Sequence, residues 1–130
     1  MMPTKTIFAI FFCLMAGPLL AQEPKVAPLM SKDLGDFPGK EGEMITVDYP
    51  PGGKDPVHRH NAHAFVYVLE GTVVMQLKGS KEVTLKPGET FYEGPSDIHV
   101  VGRNASNTQP AKFVVVLLKN KGAPALVPVK

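Results

Sequence analysis

Short apolar runs separated by turn residues recur along the chain from about residue 43 onward. They are rich in β-branched and aromatic residues, follow one another at spacings of about 8 to 12 residues, and show no sustained helical period. The runs are EMITVDY, AFVYVLEG, TVVMQLKG, EVTLKPG, ETFYEGP, DIHVVGR and KFVVVLLK. Short strands at this spacing predict an all-β domain, built as a barrel or a sandwich.

The segments between the runs have the chemistry of turns. KGSK at residues 78–81 joins two alternating runs, as a hairpin loop does. PG at residues 87–88 is a turn pair, because proline fixes φ and glycine accepts a positive φ. PPGG at residues 50–53 prevents a strand or a helix from continuing through it. Residues 22–42 predict an extended arm, within which APLMSKDL could form an edge strand.

The first 21 residues have the layout of a secretory signal peptide. A short basic start, MMPTK, precedes the apolar stretch TIFAIFFCLMAGPLL, and the small residue Ala21 precedes polar residues. We expect cleavage after Ala21, an arm over residues 22–42 and one barrel domain over residues 43–130. The mature protein would then be periplasmic or secreted, and it would have no disulfide because Cys13 is the single cysteine.

The charge of the chain limits its partners. The chain has 14 basic and 12 acidic residues, and removal of Lys5 with the signal leaves 13 against 12, a net charge of about +1. The basic residues are scattered singly, so the sequence predicts neither a nucleic-acid footprint nor a membrane-binding patch. We therefore set both of these partner classes aside.

Histidine is the residue type that points to chemistry. His58, His60 and His63 fall within six positions, and His99 lies about forty residues further on in another predicted strand. Because they are two residues apart on an extended chain, His58 and His60 point to the same face. Imidazoles suit Zn, Fe, Cu and Ni. No nucleophile motif or phosphate loop accompanies them, so we expect a metal ion to carry any catalysis.

The spacing around these histidines resembles the first motif of the cupin superfamily. That motif is G, five residues, H-x-H, three or four residues, E, six residues and G; here it spans residues 52–71, with Ala64 in place of the glutamate. The second motif is similar to residues 88–104, although Asp97 replaces a glycine and His99 comes one residue early. The resemblance implies a single cupin-type double-stranded β-helix (jelly-roll) barrel that binds a divalent metal ion through His58, His60 and His99.

Three arrangements would complete a site that lacks the usual glutamate. His63 could swing in if a bulge intervenes, or Glu93 could supply a carboxylate from the strand that leads to His99. Alternatively, three histidines alone hold the ion and leave the rest of its coordination sphere open. We favour this third arrangement. Its chemical consequence is that the ion keeps its full charge of +2 and binds an anionic or chelating ligand more tightly.

The resemblance and the missing glutamate together favour an Fe(II) site similar to those of three-histidine cupin dioxygenases, with Zn, Mn or Ni as the other candidate ions. The expected function is that of an exported, metal-binding cupin with dioxygenase-like activity on a small organic molecule. An isomerase or a lyase fits the same family, and the alternative is a module that binds a small ligand or a metal without turnover. The family also implies a homodimer, formed when N-terminal arms exchange strands.

Three further residues are candidates for contacting the substrate. Arg103 lies four residues after His99, so on a regular strand both face the same way, and the guanidinium could bind a substrate carboxylate. Tyr67 and Tyr92 could present hydroxyl groups to a bound ligand, although aromatic rings also fill the interior of barrels.

Overall fold

The computed structural model describes residues 22–130, and the predicted signal peptide of residues 1–21 lies outside them. The described chain folds into ten strands: β1 (Lys25–Asp33), β2 (Lys40–Tyr49), β3 (His58–Arg59), β4 (His63–Glu70), β5 (Val73–Leu77), β6 (Val83–Leu85), β7 (Thr90–Glu93), β8 (His99–Asn104), β9 (Ala111–Asn120) and β10 (Val127–Pro128). Within residues 22–130, no helix is long and apolar enough to cross a membrane.

The strands form two antiparallel sheets of five strands each. The front sheet has the order β1-β2-β9-β4-β7, and the back sheet has the order β10-β3-β8-β5-β6. Each of the seven apolar runs falls on a strand, and Gly79 in the predicted hairpin loop has a φ of 83°. The predicted all-β class is therefore confirmed, with two sheets around one core.

Alternation along the strands decides which side chains fill the space between the sheets. In β4, Ala64, Val66 and Val68 are buried while Phe65 and Tyr67 are exposed. The buried apolar side chains of both sheets form one cluster, which includes Ile45, Val47, Tyr49, Val66, Val68, Val73, Met75, Phe113, Val115 and Leu117. Burial of the larger of these side chains stabilises the fold by about 1.5–3 kcal/mol each.

After β9 the chain folds back onto the back sheet. Residues 121–130, which we call the strap, include β10, and β10 pairs with β3 through Val127 opposite Arg59 and Pro128 opposite His58. The backbone amide of Val129 donates to the carbonyl of Val57 at 2.9 Å. The strap therefore lies beside the strand on which the first histidine lies.

The outer face of the front sheet carries an apolar row. One cross-strand row, which we call the outer row, takes one residue from each of the five strands: Met30, Met44, Val116, Phe65 and Tyr92. Met30, Phe65 and Tyr92 are 56%, 48% and 46% exposed. At the edge of this sheet, β1 pairs with β2 of the same chain, and all nine residues of β1 are exposed. The outer row is therefore accessible to a partner.

Candidate metal centre

Three histidines and one glutamate converge between the two sheets. His58 on β3 lies opposite His99 on β8, His60 directly follows β3, and Glu93 ends β7 of the front sheet. All four residues are buried, with at most 8% of their surface exposed. One ligand atom from each residue lies within 4.8 Å of the others. The structure thus brings together the three histidines that the cupin resemblance implied and Glu93, the carboxylate of the second arrangement that the sequence left open.

Glu93 enters this group from the strand next to the position where the cupin motif carries its glutamate. Ala64 on β4 is the direct cross-strand partner of Glu93 on β7, and Ala64 is completely buried. The two carboxylate oxygens of Glu93 lie 3.3 Å from His60 Nε2 and 3.3 Å from His99 Nδ1. The arrangement that the sequence favoured, three histidines without an acid, does not match this geometry, because the acid comes from the neighbouring strand.

Backbone carbonyls hold two of the imidazoles in place. His58 Nδ1 lies 2.8 Å from the carbonyl oxygen of Pro56, and His60 Nδ1 lies 2.5 Å from that of Ala125 in the strap. A carbonyl oxygen only accepts, so each Nδ1 donates its hydrogen and each Nε2 keeps its lone pair. Metal-binding histidines are usually oriented by such outer hydrogen bonds. Both Nε2 atoms are thereby available to one ion.

Unpaired polar atoms in the group indicate that a cation fits there. His99 Nδ1, His99 Nε2 and Glu93 Oε2 are buried and have no hydrogen-bond partner among residues 22–130. An unpaired buried polar atom costs about 1–3 kcal/mol, and a bound cation offsets this cost. The four ligand atoms lie within 4.8 Å of one another, and binding to an ion at about 2.1 Å would draw them closer together. Nitrogen and carboxylate ligands suit Zn, Fe, Mn and Ni.

Burial and the Glu93 carboxylate set the protonation states of the group. Burial lowers the pKa of His58 and the pKa of His99, so both imidazoles stay neutral near pH 7. Burial also opposes protonation of His60, but the adjacent carboxylate of Glu93 outweighs it and raises the pKa of His60. Burial opposes ionisation of Glu93, but the imidazoles outweigh it and lower the pKa of Glu93. The ionised carboxylate and the neutral imidazoles of His58 and His99 favour cation binding, and a bound cation would displace a proton held between His60 Nε2 and Glu93.

A small cavity adjoins the four side chains. Its volume is about 70 Å³, and its remaining walls are mostly apolar: Val26, Ile45, Val47, Met75, Phe113, Val115, Ala125 and Leu126. Asp55 is the one further polar residue in the lining, and no lysine or arginine of the described chain lines the cavity. A single water needs about 10–15 Å³ of such volume. The cavity therefore admits a molecule of only a few non-hydrogen atoms.

Asp55 is a residue that the sequence interpretation missed. Its carboxylate accepts a hydrogen bond from the buried hydroxyl of Tyr49, and burial raises the pKa of Asp55. A Cβ atom on Gly102 would lie 3.0 Å from Tyr49 Oη, 3.1 Å from His99 Cε1 and 3.2 Å from Asp55 Oδ2. The absence of a side chain at Gly102 therefore lets these three groups approach one another. The signal that could have marked Asp55 is its place inside the first motif, three residues before His58.

His63, Tyr67 and Tyr92 lie outside the metal group. The side chain of His63 is exposed, and its Nδ1 lies 2.7 Å from the hydroxyl oxygen of Tyr92. Tyr67 and Tyr92 are 47% and 46% exposed on the outer face of the front sheet. Strand alternation is the reason, because Ala64 and Glu93 point inward and their neighbours point outward. Contrary to the sequence predictions, neither tyrosine reaches the cavity. His63, one of the three arrangements left open by the sequence, does not join the group.

Arg103 does not share the face of His99, contrary to the sequence prediction. In the pairing of β8 with β5, His99 lies opposite Leu77 and Val101 lies opposite Gln76, so Val100 is an extra residue. This β-bulge shifts the alternation by one position, and Arg103 points away from the cavity. Its Nη2 lies 3.3 Å from Glu82 Oε1 at the surface, where both side chains are nearly half exposed.

One curated relative is similar to this chain in sequence. The auxin-binding protein T85 of Nicotiana tabacum is 27% identical over 86 residues, which make up 59% of this chain and 46% of that protein. This chain therefore spans less than half the length of that relative.

Solved structures and a family model match the fold. The polyketide cyclase RemF from Streptomyces resistomycificus has a TM-score of 0.63 at 23% identity, over 85% of this chain and 73% of that chain. An oxalate oxidase in complex with the substrate analogue glycolate has a TM-score of 0.63 at 26% identity, over 82% of this chain and 55% of that chain. The family model described as "Cupin domain" matches residues 45–117, more than half of the chain. Because this match includes all four residues of the metal group, the fold and the site lead to the same conclusion: the chain belongs to the cupin superfamily.

Proposed function

We propose that this chain is an exported, metal-dependent cupin that transforms a small organic molecule, most simply by oxygenation with Fe(II). The observation that carries the proposal is the buried group of His58, His60, Glu93 and His99 at the wall of a small apolar cavity. Export to the periplasm or the exterior is proposed from the apolar stretch that precedes Ala21.

The residues of the chain would bind the ion, orient its imidazole ligands and exclude water from the substrate. The three imidazoles and the Glu93 carboxylate would hold the ion, and the carbonyls of Pro56 and Ala125 orient two of the rings. When bound, a divalent ion supplies Lewis acidity, and iron also supplies redox chemistry with oxygen. The apolar walls exclude water from the substrate. The Asp55 carboxylate lines the same cavity outside the metal group and can exchange a proton with the substrate.

The cavity favours a very small substrate of low negative charge. Its volume of about 70 Å³ is far below the roughly 300–1,000 Å³ of sites for drug-sized ligands. Two carboxylates, Asp55 and Glu93, line it, and no lysine or arginine of residues 22–130 does so. The similar oxalate oxidase binds the substrate analogue glycolate, which supports this size class. We therefore propose a neutral molecule, or one whose single anionic group reaches the ion.

Oxygen consumption tests this function. Mature protein loaded with Fe(II) should consume oxygen with at least one member of a panel of small hydroxy acids, thiols and diketones. The His58→Ala/His60→Ala variant should consume none above background, because it lacks two of the four ligands. Equal uptake by both proteins would contradict the proposal. Bound metal without oxygen uptake would support the non-catalytic alternative, and product analysis without oxygen would then test isomerase and lyase activity.

We propose that two copies of the chain form a homodimer in which the outer faces of their front sheets meet. An antiparallel sheet usually presents polar residues on the side that faces water, but the outer row is apolar. A half-exposed aromatic ring offers on the order of 100 Å², so several such residues approach the roughly 800 Å² per partner of a standard interface. Exchange of arms between copies would extend this face, because β1 lies at its edge.

Phe65→Lys is expected to convert the dimer into a monomer, because it places a charge within the outer row. Light scattering coupled to size-exclusion chromatography measures the mass directly. The matched control is Val83→Lys, which alters an exposed apolar residue of the back sheet and should leave the dimer intact. A monomeric wild type, or a Phe65→Lys variant that remains dimeric, would contradict the proposed surface.

A further inference from the structure

The strap contributes directly to the metal group. The carbonyl of Ala125 accepts the hydrogen bond from His60 Nδ1, and both Ala125 and Leu126 line the cavity. A hydrogen bond to one nitrogen of an imidazole fixes the direction of the other nitrogen. The position of Ala125 therefore decides where His60 Nε2 points.

A buried ion pair fixes the beginning of the strap. Lys119 Nζ donates to the carbonyl of Ala123 at 2.6 Å and to Glu41 Oε1 at 2.5 Å, and it lies 3.3 Å from Oε2 of the partly exposed Glu43. The amide of Gly122 donates to the same glutamate oxygen at 3.0 Å. Lys119 is 4% exposed and Glu41 is 9% exposed. Hydrogen bonds from Lys119 and Gly122 lower the pKa of Glu41 to about 2, so this anchor stays charged at neutral pH.

The pairing of β10 with β3 fixes the other end of the strap. Val127 lies opposite Arg59, and the next hydrogen bond joins Val129 to Val57. Ala125 lies midway between the two anchors, two residues after Ala123 and two residues before Val127. Loss of the first anchor would therefore free the carbonyl that holds His60.

The chemistry of the first anchor is unusual for a purely structural role. Apolar residues of similar volume often stabilise a fold as well as a buried ion pair or better, because the pair loses its hydration. We infer that Lys119 and Glu41 are positioning residues of the metal centre: they set the strap, and the strap sets His60. The inference rests on the proposed metal binding.

Replacing the pair by apolar residues separates positioning from stability. Glu41→Leu/Lys119→Met should melt near the temperature of the wild type, because Glu43, which loses its partner Lys119, is exposed enough to be hydrated. It should bind Zn²⁺ or Co²⁺ about 10–100-fold more weakly. The visible absorption of bound Co²⁺ should change as well, because the ligand geometry changes. Lys112→Met is the matched control, since this lysine of the same strand pairs with Asp48 outside the strap, and it should bind the ions as the wild type does.

A second readout of the strap needs no metal. In the wild type, the His60 Nδ1 proton should be protected from exchange and give a separate downfield NMR resonance, which the double variant loses and Lys112→Met keeps. Unchanged metal affinity and an unchanged resonance in the double variant would overturn the inference and leave the proposed function intact. A wild type that binds no metal would overturn the proposed function, and the His60 resonance would still decide whether the pair positions the ring.

Discussion

Replacement of both His58 and His60 by alanine is expected to abolish metal binding, with an affinity for Zn²⁺ or Fe²⁺ lowered by roughly a thousandfold or more. The substitution removes two of the four ligands, and Glu93 and His99 alone cannot surround an ion. No other group of this kind occurs within residues 22–130, so no second site compensates. The fold should persist, because the substitutions remove polar groups and leave the apolar cluster unchanged.

The matched control for this variant is His63→Ala. It removes an imidazole from the same segment, but one that is exposed and bonded to Tyr92 outside the group. Competition with a chromophoric chelator measures the affinities, and circular dichroism checks the fold. Wild-type affinity in the double variant, or loss of affinity in His63→Ala, would show that the ligands have been assigned incorrectly.

Glu93→Ala is expected to weaken metal binding by about a hundredfold or more, because a lost ligand should cost at least as much as a lost outer hydrogen bond. Moving the carboxylate across the strand pair should restore much of the lost metal affinity. In Ala64→Glu/Glu93→Ala, the acid comes from β4, directly opposite its present position on β7. Both single variants and the double variant can be titrated with the same ion under the same conditions.

Ala64→Glu alone is the control for this exchange. It adds a second buried carboxylate beside Glu93, so like charges and overpacking should lower its melting temperature. A Glu93→Ala variant that binds as the wild type does would reinstate the three-histidine arrangement. A double variant that binds no better than Glu93→Ala would show that the position of the acid, and not only its presence, is required.

The fold could be predicted from local signals. Apolar runs and turn residues repeat within a few positions of each other, and each run falls on a strand. The common face of His58 and His60 follows from the same kind of local rule, since side chains two residues apart on a strand point the same way. His99 required the second motif, which the sequence retains in altered form.

The parts that could not be predicted depend on contacts between distant residues. Only the register of β4 with β7 shows that Glu93 lies opposite Ala64. The bulge at Val100 reverses the direction of Arg103, and nothing in the spacing of the chain marks it. The hydrogen bond from His60 to Ala125 joins residues 65 positions apart, so the role of the strap appears only in the folded chain.

The metal content of the purified protein tests the central claim most directly. The chain should be expressed with residues 1–21, purified without chelators, and measured by mass spectrometry of the elements beside the His58→Ala/His60→Ala variant. We predict about one divalent ion per wild-type chain, with iron favoured, and none in the variant. A wild-type protein that retains no ion even after loading with Fe²⁺ and Zn²⁺ would contradict the account.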